Sequence, residues 1–333
     1  MSAWNIAVIG ATGAVGSAII DLLEERQFPV AELTVFASDN NLGETVRFQG
    51  KTAIVKSLDE SDFDWSAVNI AFFAASAAVT KQYAVTIADM GCVVIDLSGF
   101  FANRPEVPVI VPGINNHELA DYRNSNIITV ANGVTCQLLK SVLAITAIDN
   151  ITQLHVSTYL PASFYGKSAL DGLAGQSVRL LNGLSIDETQ LAFNLQPVIR
   201  ATNALLPEAE LALQCRRVLG CEQLPISFDF IDVPVFYGLS QAVNLSMQYP
   251  VELEQLSDKI NQSADIELLP NQQLPTPVSQ QEANNCLRMG HLRYAYTVPE
   301  LLQFWSVSDN VRYLGAYMAV NIAESLIEEF IGY

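Results

Sequence analysis

The chain is poor in charge, and poorest in positive charge: 17 Lys and Arg stand against 35 Asp and Glu, a formal net charge of -18, and charged residues are only 16% of 333. So acidic a surface repels phosphate backbones and anionic headgroups, and no basic patch interleaved with aromatics relieves it, so nucleic acid and membrane surfaces are not expected partners. Long hydrophobic runs are missing too. The longest apolar stretch, Val68 to Val79, is too short to span a bilayer and is interrupted by Asn69 and Ser76. No signal-peptide pattern precedes the first strand, and the expectation is a soluble, cytoplasmic protein. Cysteine is scarce and scattered. Cys92, Cys136, Cys215, Cys221 and Cys286 include no CxxC pair, which argues against a disulfide framework or a zinc site. His117, His155 and His291 are equally isolated, so no metal site is expected.

What the chain does have is apolar mass. Hydrophobic residues make up 50% of a length that suits two domains, more than two separate cores need. A buried subunit interface is the natural outlet, and a homodimer is expected.

The most informative local signal is at the start. An apolar run from Ile6 to Ile9 opens into Gly10-Ala11-Thr12-Gly13-Ala14-Val15-Gly16, and Ser17 to Leu23 continues as a helical pattern. Glycine serves a tight strand-to-helix turn whose angles a Cβ obstructs, and it lets dinucleotide phosphates approach bare backbone at the positive end of a helix. Gly10, Thr12, Gly13, Ala14 and Val15 are therefore the candidate cofactor contacts. The bland alternative is a glycine turn that only packs helix against sheet.

Strand-length apolar runs then alternate with helical patterns: Leu33–Phe36, Asn69–Phe73, Cys92–Asp96, Val109–Val111 and Asn126–Val130. Continuous rather than alternating hydrophobicity means strands covered on both faces, hence a doubly wound, mainly parallel Rossmann-like sheet. Beyond about residue 130 the segments lengthen and alternate, at 226–235, 241–248, 287–296 and 301–307, as in an antiparallel or mixed sheet with one helix-covered face. Helices are expected near 167–181 and 251–262, and Pro270 to Ser279 reads as extended or loop. The fold class is α/β, with residues 1–130 as dinucleotide-binding domain and 131–310 as an α+β substrate and dimerisation domain. A C-terminal helix, 311–333, is expected to pack back on the first domain.

Together with GATGAVG, the runs Val94-Ile95-Asp96, Val111-Pro112-Gly113-Ile114-Asn115, Ser157-Thr158-Tyr159, Leu191-Ala192-Phe193-Asn194, Val233-Pro234-Val235 and Val307-Ser308-Asp309-Asn310 carry a likeness over nearly the whole chain. In this order they resemble the aspartate-β-semialdehyde dehydrogenase family, and within it the Usg-type paralogues. Members of that family attack their substrate with a cysteine in a segment Ala-Asn-Pro-Asn-Cys-Ser-Thr-x-Gln. The matching stretch here is Thr129-Val130-Ala131-Asn132-Gly133-Val134-Thr135-Cys136-Gln137. With Thr135 and Gln137 fixing the register, the nucleophile's position holds Gly133, which has no side-chain atom to attack with. Cys136 is the one stand-in, yet three helical residues displace it by about 4.5 Å along the axis, and hydride transfer tolerates only about an angstrom.

The same resemblance places the general acid/base histidine at Leu239, the orienting glutamine at Leu160 and the substrate-carboxylate arginine at Asp232. It matches the phosphate-binding arginine to Phe101 and the acidic residue for the substrate amine to Gln214. Asn40 and Asn41 take the places of an Arg-Ser pair that holds the 2′-phosphate of NADP. Asp39 sits where a carboxylate can bond a ribose 2′-hydroxyl, so residual cofactor binding is expected to be weak and to favour NAD over NADP. Asn310 joins the cofactor-binding set. What the resemblance implies is a non-catalytic family member with structural, regulatory or partner-binding work, whose interface could also accept an active paralogue as a heterodimer. Two alternatives stay open: an active NAD(P)-dependent oxidoreductase for a semialdehyde or acyl-phosphate substrate, and a non-catalytic NAD(H) sensor. Tyr165 and Lys167 lack the helical register of a Tyr/Lys proton-transfer pair.

Overall fold

The computed structural model describes residues 3–59, 63–186, 189–198, 208–270, 272–280 and 285–331. The chain divides into two compact units, Met1–Asn132 with Gly315–Tyr333, and Gly133–Leu314.

The first unit is a wound parallel sheet. β1 (Trp4–Ile9) runs into α1 (Ala14–Glu25) and β2 (Val30–Phe36), then a hairpin of β3 (Thr45–Phe48) and β4 (Lys51–Ile54). β5 (Ile70–Phe73), α2 (Ala77–Asp89), β6 (Val93–Asp96), β7 (Val109–Ile110) and β8 (Ile127–Val130) follow. The sheet order is β2-β1-β5-β6-β8-β7, with every pairing parallel. β5, β6 and β8 are buried at every residue, as helices on both faces require. α1 turns Ala18, Ile19, Leu22 and Leu23 inward at helical spacing.

The chain returns to this unit through a C-terminal helical stretch whose central part is α8 (Met318–Leu326 in chain order, numbered after the second unit's helices). Arg26 at the end of α1 holds it: Nη2 lies 2.6 Å from Glu324 Oε2, Nη1 donates to Asn321 Oδ1 at 2.6 Å, and the guanidinium sits 5.0 Å from the Tyr317 ring centroid. Asn116 Nδ2 adds a hydrogen bond to Ser325 Oγ (3.2 Å). Helical structure extends from Arg312 to Ile331, and the remainder of the expected 311–333 helix, residues 332–333, lies outside the described residues.

The second unit comprises α3 (Gly133–Ile145), β9 (Ile151–Leu160), α4 (Lys167–Leu181), β10 (Gln196–Pro197), α5 (Glu208–Leu219), β11 (Ile226–Asp232) and β12 (Leu239–Met247). It continues through α6 (Leu253–Ile260), β13 (Ile266–Leu268), α7 (Pro277–Gln280), β14 (Leu287–Ala295) and β15 (Val298–Ser308). The order β10-β11-β9-β12-β15-β14-β13 is mixed, because β11 pairs parallel with β9, and β13 with β14. Alternation divides the sheet faces. Leu154, Val156, Thr158 and Leu160 of β9 and Leu239, Gln241, Val243 and Leu245 of β12 are buried on the face that carries α3. Ser157, Tyr159, Ala242, Asn244, Gln303 and Trp305 are half-buried on the other.

Two expectations change in detail. The strand expected over 226–235 stops at Asp232, because Pro234 lacks a donor for the ladder. The segment from Pro270 to Ser279 is not wholly loop: α7 begins at Pro277, where a missing N–H is harmless in a first helical turn. No helix among the described residues is long and apolar enough to cross a membrane.

Candidate functional site

In the first unit the glycine loop follows β1 and ends at the start of α1. Gly10 adopts φ +83°, and a Cβ there would lie 2.3 Å from the Ala74 carbonyl oxygen. A Cβ on Gly16 would lie 2.1 Å from the Gly10 oxygen, so the helix comes as close to the strand as only glycine allows. Gly10 N and Ala11 N both donate to Phe36 O, at 2.8 and 3.0 Å. Thr12, Gly13 and Ala14 are exposed and Val15 is half-buried. No side chain caps α1 at Gly13, so its opening turn keeps its positive end for an anion. This is a cradle that side chains would fill, and it fits a dinucleotide pyrophosphate.

Asp39 opens a short helical turn, Asp39–Asn41, just past β2. Its carboxylate Oδ1 accepts a long bond from Ser57 Oγ (3.4 Å). Asn41 is occupied locally: its Oδ1 accepts from Ser38 Oγ (3.0 Å) and its Nδ2 donates to Glu44 Oε1 (3.0 Å).

In the second unit the ladder register gathers the remaining positions. Asp232 lies beside Leu160, Ser240 beside Tyr159, and Leu239 beside Ser308, so the ends of β9, β11 and β15 and the start of β12 meet. Leu160 and Leu239 are buried. Neither can move a proton or accept a hydrogen bond through its side chain. Asp232 is half-buried, accepts from Tyr165 Oη (2.8 Å), and its carboxyl is raised by burial against the lowering effect of that bond.

α3 begins at Gly133, and the position is already hemmed in. A Cβ on Gly133 would lie 3.2 Å from Leu314 Cβ and 3.4 Å from Leu314 Cδ1. Cys136 is buried within the first turns of α3, where desolvation pushes its thiol up to about 12 despite the charge of Lys140. Such a thiol is not a nucleophile near neutral pH. Gln137, also buried, donates through Nε2 to Leu239 O (3.3 Å), Ser306 O (3.2 Å) and Ser306 Oγ (3.1 Å), and accepts at Oε1 from Ser308 Oγ. It therefore ties α3 to β12 and β15.

Asn310 Oδ1 accepts from Ser163 Oγ (3.0 Å) and Gly238 N (3.2 Å), while Asp309 Oδ1 accepts from the Val311 and Arg312 backbone N–H groups (2.8 Å each) and caps the helical stretch that follows. Phe101 is buried, with the Arg104 guanidinium 4.9 Å from its ring centroid. Gln214 is buried on α5. Leu314 belongs to no local motif and meets Gly133 from a remote segment, while Tyr165, no partner for Lys167 in helical register, is tied instead to Asp232 from a remote strand. Among the described residues no cluster of His, Cys, Asp and Glu could hold a metal ion.

The glycine cradle on a parallel sheet and the second, mixed sheet match two known domains in chain order. The semialdehyde dehydrogenase NAD-binding domain matches residues 5–122, and the semialdehyde dehydrogenase dimerisation domain matches residues 143–313. The chain belongs to the aspartate-semialdehyde dehydrogenase family. The aspartate-semialdehyde dehydrogenase of Shewanella violacea is 36% identical to it over 98% of both chains. The USG-1 protein homolog of Pseudomonas aeruginosa is 32% identical, again over 98% of both. The crystal structure of aspartate semialdehyde dehydrogenase II from Vibrio cholerae superposes with a TM-score of 0.93 at 35% identity, covering 99% of this chain and 100% of that one.

Proposed function

We propose that this protein is a non-catalytic member of its family, of the Usg type, which keeps a nucleotide cradle and a dimerisation sheet for structural, regulatory or partner-binding work. The observation that carries the reading is Gly133 at the position of the family's nucleophile, with Leu314 packed where a side chain would project. Leu160, Leu239 and Asp232 support it, standing where the resemblance expects the orienting amide, the base and the carboxylate anchor. A thioester mechanism needs all of these groups together. A bound nicotinamide dinucleotide would supply a hydride donor or acceptor. The chain's own residues offer that hydride no covalently held acyl group.

The second reading, an active dehydrogenase, draws its support from 36% identity to proteins named aspartate-semialdehyde dehydrogenase. It requires another nucleophile, and Cys136, buried and raised to about 12, is a poor one. The test is a steady-state assay with aspartate semialdehyde, phosphate and NAD or NADP. No turnover is expected. A rate on the order of 1 to 1,000 per second that disappears in Cys136→Ser would overturn the proposal and establish the second reading.

The assembly we propose is a homodimer through the second unit, supported by the match to a dimerisation domain and by the half-buried face of Tyr159, Ala242, Asn244, Gln303 and Trp305. Obligate interfaces of this class commonly bury about 2,000 Å² or more. Sedimentation at sub-micromolar concentration is expected to give a dimer, and a well-folded monomer would refute it. With the interface kept, heterodimers with an active paralogue become available, and mixing the two chains before size-exclusion chromatography tests that extension.

A further inference from the structure

The adenosine end of the cradle has a chemistry of its own. β2 lies beside β1 in the sheet, and its chain leaves through Ala37 and Ser38 into the Asp39–Asn41 turn, about twenty residues beyond the glycine loop, where dinucleotide folds bind the adenosine ribose. On the other side of the loop, the ideal Cβ of Gly10 would come within 2.3 Å of Ala74 O and 3.3 Å of Ala75 N, so the start of the β5-to-α2 connection borders the same cradle. Ala75, Val79, Tyr83, Leu58 and Phe63 are partly buried apolar groups packed on this unit's core.

The charged groups near these residues are mostly acidic, Asp39, Asp59 and Glu44 against Lys56. Tyr83 Oη donates to Asp59 Oδ1, and this bond is the main reason the phenol titrates above its ordinary value, with the charge of Asp39 adding to it. Glu44 is bonded to Asn41 in the turn that Asp39 opens. Among the described residues no Lys or Arg pairs with Asp39, and the Lys56 ammonium lies 5.0 Å from the Phe63 ring centroid.

We propose that Asp39 makes this cradle selective for dinucleotides whose adenosine ribose carries a free 2′-hydroxyl and that its charge rejects a 2′-phosphate. The inference rests on the reading that the glycine loop still binds nucleotide. An ionised carboxylate accepts a hydrogen bond from a ribose hydroxyl, whereas a 2′-phosphate would set a second anion against it without a cation between them. The Ser57 hydroxyl, 3.4 Å from Oδ1, steadies the carboxylate orientation.

The experiment is calorimetric titration of the full chain with ADP-ribose and with 2′-phospho-ADP-ribose, which report the adenosine half without any redox step, in the native protein and in Asp39→Asn. ADP-ribose is expected to bind roughly tenfold to a hundredfold more tightly, the range for one charge-assisted hydrogen bond. Asp39→Asn, at an exposed position, is expected to bring the two affinities within a few fold, and raising the salt is expected to narrow the native gap by screening the repulsion. Equal affinities in the native protein, tighter binding of the 2′-phosphorylated ligand, or a preference unchanged in Asp39→Asn would each overturn the assignment. Failure of both ligands to bind would instead refute the retained nucleotide cradle itself, and the selectivity with it.

Discussion

Gly133 and Leu314 compete for one space: a Cβ on the glycine would lie 3.2 Å from the leucine Cβ, an atom fixed to the backbone and unable to swing aside. The first turn of α3 and the segment after Asn310 are thus packed around the absence of a side chain.

Placing a cysteine at this position, which the proposed function takes as the family's nucleophile position, is therefore expected to fail twice. On the proposed function, Gly133→Cys is expected to show no dehydrogenase turnover, since the side chains of Leu160 and Leu239 can neither hydrogen-bond an acyl group nor move a proton. It is also expected to cost about 1 to 3 kcal/mol, the overpacking penalty, because glycine at the first residue of α3 escapes most of the penalty it carries in a helix interior. A double-mutant cycle with Leu314→Ala, read by urea unfolding, checks the origin of that cost. If Gly133→Cys costs the same in both backgrounds, the two residues are not coupled.

Three buried thiols predict the behaviour in alkali. Desolvation raises Cys92, Cys136 and Cys215 from 9.0 to about 12 in the folded chain. Unfolding returns them to an ordinary thiol, so above pH 9 the unfolded state binds fewer protons and stability falls with pH. The stabilisation is complete below about pH 9 and is lost up to about 12, at about 1.4 kcal/mol per pH unit for each thiol. Urea melts from pH 8 to 10.5 are expected to show this slope reduced in Cys136→Ala. An unchanged slope would mean that this thiol is not shielded as described.

The parallel sheet was legible because fully buried strands such as Ile70–Phe73 leave continuous apolar runs, and the glycine loop because its steric demand leaves so few residue choices. The β3–β4 hairpin was not: Thr45–Phe48 and Lys51–Ile54 are short, half polar, and pair with each other outside the main sheet. Nor was the parallel pairing of β11 with β9, since period-two alternation marks faces and says nothing of strand direction. At the site, motif order singled out Gly133, Leu160 and Leu239 only through what the resemblance implies for those positions. The contact that closes the Gly133 position comes from Leu314, at the far end of the second unit's sequence, and no local pattern encodes it.

The glycine loop yields a ranked prediction. Gly16→Ala would drive a Cβ to 2.1 Å from the Gly10 oxygen and 2.7 Å from its carbonyl carbon, with only backbone to give way, whereas Gly13→Ala would meet that oxygen at 3.2 Å. The first is expected to destabilise by on the order of 3 kcal/mol or more, the second by about 1 kcal/mol or less. Chemical denaturation of the two variants decides it, and equal costs would mean that the helix can slide away from the strand.

Two buried polar side chains, one on α3 and one on the sheet face that carries it, should respond oppositely to being made apolar. Gln137 bonds Leu239 O and Ser306 through Nε2 and accepts from Ser308, so Gln137→Leu strands several buried partners and is expected to cost about 2 to 3 kcal/mol. Thr158 is also buried, at the β9 position facing Gln241, yet among the described residues its Oγ1 has no hydrogen-bond partner, and neither does Gln241 Oε1. Thr158→Val keeps the shape and removes an unpaired hydroxyl, so it is expected to stabilise by about 1 kcal/mol. Urea unfolding of both variants gives the comparison. A destabilised Thr158→Val would mean that the hydroxyl is satisfied in solution, and the register pairing makes Gln241 Oε1, directly or through a trapped water, the first partner to test with Thr158→Val in a Gln241→Leu background.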